Sequence, residues 1–91
     1  MLVLPAELTH DEAAACARML AQAMGAETGT QVIADASQLH QFDSSALAVL
    51  LECRREALAV GKSFAVAGMS ARLRELAGVY GVSELLAPAS A

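Results

Sequence analysis

Basic residues are scarce in this chain: six Lys and Arg stand against ten Asp and Glu, a formal net charge of −4 over 91 residues. A nucleic-acid surface neutralises phosphates with a basic stripe, and docking on anionic lipid wants clustered Lys and Arg. Neither pattern is present, so no nucleic-acid partner is expected. Long apolar runs are missing too. The longest, Ala46 to Leu51, has six residues, where a membrane span needs about twenty, and no direct membrane insertion is expected. Met1–Leu4 lacks the basic stretch that opens a secretory signal, and Pro5 follows at once, which points to a cytoplasmic location.

The residues that carry chemistry are equally sparse. His10 and His40 are the only histidines, Cys16 and Cys53 stand apart, and neither C-x-x-C nor H-x-x-x-H occurs, so no metal is expected. The six glycines are scattered at the ends of predicted elements and form neither a P-loop nor G-x-G-x-x-G; they punctuate the chain, and no cofactor is expected. His40 lies three residues before Asp43, with Ser44 and Ser45 beyond it, but closeness along the chain is not a triad and G-x-S-x-G is absent. The reading is of a protein that is not an enzyme. The two cysteines sit among apolar neighbours on helical patterns and read as buried thiols, with a disulfide or redox pair as the alternative.

What the chain has in quantity is small apolar side chains. Hydrophobic residues make up 56% of it and alanine alone supplies 21, leaving enough larger side chains for one modest core. The length allows one domain, residues 1–91, with 87–91 expected to fray.

Residues 2–4 read as a short strand closed by Pro5, which has no N–H to offer a ladder. Thr9 followed by Glu12 is a capping box in sequence form, opening a helix over Asp11–Met24. Thr30–Ala36 has a nearly continuous apolar centre at Val32, Ile33 and Ala34, the mark of a buried central strand. SQLHQFD reads as a polar connection with two apolar anchors, Leu39 and Phe42. Asp43-Ser44-Ser45 then opens the longest helix, with Leu47, Leu50, Leu51, Arg54 and Leu58 on one broad side. Gly61 stops it, and Lys62 is expected to cap its polar side. Ser63–Ala67 gives a further core strand. Ser70 is the expected N-cap of a third helix, in which Leu73, Leu76 and Ala77 cluster while Arg72, Arg74 and Glu75 point away. Val82–Leu86 is a closing apolar turn or short strand. This alternation predicts an α/β domain with a mixed, mostly parallel sheet of about four strands and helices on one side.

One segment could do more than cap a helix. Asp43, Ser44 and Ser45 are adjacent small polar residues at a strand-to-helix junction. The plain reading has Asp43 or Ser44 capping the helix and the other serine filling the first turn. The functional reading uses the same physics: a serine beside unpaired N–H groups, at the positive end of a helix dipole, can carry a phosphate or meet a partner.

VIADASQLHQFDSSALAVLLE, Gly61-Lys62, SFAVAGMSARLRELAGVYGVSELL and LVLPAELTHDEA resemble, in order, the successive segments of a STAS domain. The resemblance covers nearly the whole chain, except that a usual first strand is missing or truncated. It implies a STAS fold and two branches of function. The alanine content, the abbreviated N-terminus and the L-T-x-x-x-A opening resemble the MlaB-like branch, a cytoplasmic subunit on the ATPase of an ABC complex that moves phospholipid between membranes. The D-S-S triplet resembles anti-sigma-factor antagonists, in which the serine after the motif aspartate, here Ser44, is phosphorylated by a serine-kinase anti-sigma factor. Either branch makes Ser44, Asp43 and Ser45 the partner-docking or phosphoacceptor residues. Glu52 and Glu56 extend the implied interface along the second helix. A bare edge strand leaves a homodimer open. The family's glycine after D-x-x is Ala46 here, whose methyl is expected to add bulk where a partner would approach.

Overall fold

A computed structural model describes residues 1–88. Five short strands and three helices alternate along it: β1 Leu2–Val3, β2 Glu7–Leu8, α1 His10–Gly25, β3 Gln31–Asp35, β4 Gln41–Phe42, α2 Ser45–Ala59, β5 Ser63–Ala67 and α3 Ala71–Val79, closed by a 3-10 turn at Ser83–Leu85. The architecture is α/β, as expected. The expected single sheet is divided into a three-stranded ladder in the order β1-β3-β5 and a separate β2-β4 pair. Every strand pair is parallel among the described residues.

The continuous apolar centre of β3 has its physical reason in that order: β3 is the middle strand, and Val32 and Ala34 are buried. Leu2 and Leu4 on one side and Phe64 and Val66 on the other complete the layer. Helices α1 and α2 pack on each other, α1 also against β1 and α2 against β5. Cys16, Leu20 and Met24 form the buried stripe of α1. Ala46, Leu47, Val49, Leu50, Cys53 and Ala57 form that of α2, at the spacing of one helix face. Leu58, grouped with Leu47 and Leu50 on one broad side of the sequence pattern, does not share their burial and is 48% exposed. Both cysteines are buried and unbonded.

The capping box closes around Glu12, whose carboxylate accepts the Thr9 amide at 2.9 Å and the Thr9 hydroxyl at 2.7 Å. Ser70 caps α3 by accepting the Leu73 N–H at 3.1 Å. Lys62 does not cap α2 with its side chain. The ammonium donates to the Glu27 carbonyl after α1 at 2.7 Å, tying the α1–β3 connection to the start of β5. Gly68 ends β5 at φ +70, and a Cβ there would lie 2.8 Å from the Ser37 Cβ. That close approach needs glycine twice over, for the left-handed backbone and for the space.

Two regions depart from the sequence expectation. The polar connection contains β4, whose residues Gln41 and Phe42 pair with Glu7 and Leu8 of β2. The Ala6 carbonyl, accepting from both His40 and Gln41, locks this small ladder. At the other end, Ala87 and Pro88, expected among the fraying residues, are paired: Val66 donates to the Ala87 carbonyl at 2.9 Å and bridges Pro88 in parallel. The rest of the expected fraying, at residues 89–91, lies outside the described residues. Among the described residues no helix is long and apolar enough to cross a membrane.

Candidate functional site

The junction of β4 and α2 is built by Asp43. Its Oδ1 accepts the Ser45 N–H at 2.8 Å, which makes Asp43 the side chain that closes the start of α2. Its Oδ2 accepts the N–H of His10, the first residue of α1, at 3.0 Å. One carboxylate therefore satisfies an orphan donor on each of two helices, at the end where the backbone dipole favours negative charge. The Ser45 amide is the main reason, and the His10 amide a further one, that the Asp43 carboxyl is held below the usual carboxylate range.

With that task taken, Ser44 is released from it. Its backbone is already helical, at φ −62 and ψ −15, and its side chain makes no capping hydrogen bond. Its carbonyl accepts from Leu47 and Ala48. The side chain is half-buried, at the surface and at the head of α2. Ser45 is half-buried beside it, and Asp43 is exposed. Of the two capping assignments open to the sequence, the one with Asp43 as the cap is the one realised.

Ala46 corrects an expectation. Its relative exposure is 0%, and it belongs to the core cluster. The methyl that replaces the family's glycine fills interior space and adds no bulk on the outer surface. The helix direction explains it: two residues after Ser44, a side chain has turned about 200° around the axis.

Ser44 opens onto a groove of about 500 Å³ whose other wall is α3. Phe42, Asp43 and Ser44 line one side; Arg72, Glu75, Leu76, Val79 and Tyr80 line the other. The Arg72 guanidinium lies over the Phe42 ring, 4.4 Å from its centroid, a cation–π contact that bridges the walls. Val79 is 82% exposed and Tyr80 57% exposed, so the groove ends in apolar surface facing solvent. The sequence reading placed nothing of function on α3. The signal was there: Arg72, Leu76, Val79 and Tyr80 recur at helical spacing, a second stripe beside the core stripe of Leu73 and Ala77.

Glu52 and Glu56 are not brought to this groove. Glu52 pairs with Arg55, one turn along the same helix, and that hydrogen bond lowers its pKa. Glu56 lines a different groove, with Ala21, Met24, Gly25, Ala59 and Val60 between α1 and α2. The His40 ring lies against the Gln38 carbonyl, within their connection. Among the described residues no group of three or more His, Cys, Asp or Glu is gathered as a metal site would need.

A family model described as "Mlab, STAS domain" matches residues 1–87. In fold, the chain is similar to the anti-sigma factor antagonist SpoIIAA in its unphosphorylated form, with a TM-score of 0.73 at 23% identity, over 97% of this chain and 76% of that one. No curated protein matches the chain in sequence.

Proposed function

The chain belongs to the STAS domain family, through the Mlab model that matches residues 1–87, and from that membership we propose that it is a non-enzymatic accessory protein that docks on the cytoplasmic ATPase of an ABC transporter moving phospholipid between membranes. The observation that carries this reading is the exposed apolar end of the Ser44 groove. Val79 is the most exposed large apolar side chain among the described residues, and Tyr80 adjoins it. Solvent-facing apolar and aromatic side chains beside a groove are what a partner's surface covers. Asp43 and Ser44 form the polar rim of that dock, with Ser45 next to them at the start of α2. A domain of this kind acts by binding linkage: by binding one arrangement of the ATPase more tightly it populates that arrangement, with no chemistry of its own.

A second reading is supported by the likeness to SpoIIAA and by the Asp43-Ser44-Ser45 triplet. In it the chain is an anti-sigma-factor antagonist that captures a serine-kinase anti-sigma factor and is released by phosphorylation of Ser44. Two experiments separate the readings. Mixed with the purified ATPase of the phospholipid transporter from its own cell, the chain elutes with it as one complex under the first reading and separately under the second. Incubated with its serine kinase and ATP and then weighed intact, it gains one phosphate under the second reading, and Ser44→Ala abolishes the gain. An unchanged mass leaves the first reading alone.

A further inference from the structure

We propose that Arg72 is a latch for a phosphoryl group on Ser44, a role that rests on the reading in which Ser44 is phosphorylated. Among the described residues, Arg72 is the one cation lining the Ser44 groove. It is exposed, and among the described residues it makes no salt bridge, although Glu75 lies three residues along the same helix. Its guanidinium rests on the neutral Phe42 ring, two residues before Ser44. It makes no salt bridge to Asp43 either, whose two oxygens accept the His10 and Ser45 amides.

A serine kinase would supply the group from ATP. The Ser44 Oγ–P bond forms, the bond to the γ-phosphorus from the bridging oxygen breaks, ADP leaves and the hydroxyl proton passes to the kinase's base. The product carries a charge of about −1.5 to −2. Held beside Asp43, with Glu75 across the groove, that charge is repelled by both carboxylates. Arg72 is what can compensate it. A charge-assisted, two-pronged bond to phosphate outcompetes an exposed stack on a neutral ring. The guanidinium moves from Phe42 toward α2 and spans the groove above Leu76. Phosphate then closes the docking surface by pulling Arg72 across it, as well as by repelling the partner.

The test uses the full chain with phosphoserine installed at position 44 during translation, compared with the same chain carrying Arg72→Gln, so that no kinase is needed. Histidine rings titrate in the range of the phosphate's second proton, and both chains therefore carry His10→Gln, which keeps the backbone N–H bound to Asp43. Asp43, Glu75 and Tyr80, the other ionisable groups of the groove, are common to both. Phosphorus NMR then gives the titration midpoint of the phosphate. With Arg72 present the midpoint lies about half to one pH unit below that of the Arg72→Gln chain, and Arg72→Lys recovers part of the shift. Circular dichroism checks that the variants fold alike. Equal midpoints with and without Arg72 overturn the latch and leave the phosphorylation reading intact. A protein from its own cells that never carries the mass of a phosphate removes that reading, while the midpoints still decide whether the latch exists.

Discussion

Asp43 accepts the backbone N–H of His10, 33 residues away in sequence, so that the first residue of α1 and the first residue of α2 hang from one carboxylate. Asp43→Ala leaves both donors without their side-chain acceptor, and the melting temperature falls by roughly 4–8 °C. The folded carboxyl titrates below its ordinary value of 3.8. Its stabilisation is therefore complete above that value and disappears as the pH falls through the folded one. Melting curves taken between neutrality and strong acid show the difference between wild type and Asp43→Asn narrowing only on the acid side of that value. A constant difference across the range would deny the carboxylate its double role.

Gly61 and Gly68 share a left-handed backbone, at φ +78 and φ +70, but only Gly68 is crowded. Gly61→Ala carries the conformational penalty alone, about 1 kcal/mol. Gly68→Ala adds a collision with Ser37 and costs roughly 3 kcal/mol. Urea unfolding of the two variants gives the ranking.

The two thiols are shielded. Burial is the first reason that Cys53 is pushed up to about 12, with the Glu56 charge adding to it, and burial also raises Cys16. Neither reacts with a disulfide reagent at pH 8 while the protein is folded, and both react when urea unfolds it, because the thiolate is the nucleophile. A rapid native-state release of one equivalent would contradict the placement.

Ala46→Gly restores the family's residue. It costs about 1 kcal/mol in helix propensity, read by chemical denaturation. It leaves partner affinity unchanged, because the methyl it removes is interior.

The parts of this fold that were legible in the sequence are those written in local pattern. Thr9 and Glu12, three residues apart, announce their own reciprocal bonds, and Ser70 announces its cap on α3. The unbroken apolar centre of β3 is the consequence of having a strand on each side. Strands β2 and β4 were illegible because two residues carry no period, and what makes Gln41 and Phe42 a strand is the backbone of Glu7 and Leu8, far off along the chain. The site divides in the same way. Asp43, Ser44 and Ser45 stand out as a cluster. The bond to His10, the stack of Arg72 on Phe42 and the inward turn of Ala46 are products of packing between elements. Glu52 and Glu56 share a helix with Ser44, yet Glu56 lies on a different groove because α1 packs there.

Ser44 contributes to docking and not to folding in this account, since its side chain makes no capping bond. The affinity of the purified transporter ATPase for wild type and for Ser44→Asp, measured by calorimetry, tests that most directly. The account predicts a complex with wild type, a dissociation constant at least about tenfold higher for Ser44→Asp, and melting temperatures that agree within about 2 °C. An aspartate variant that binds as tightly as wild type, or one that binds weakly only because it has unfolded, would contradict it.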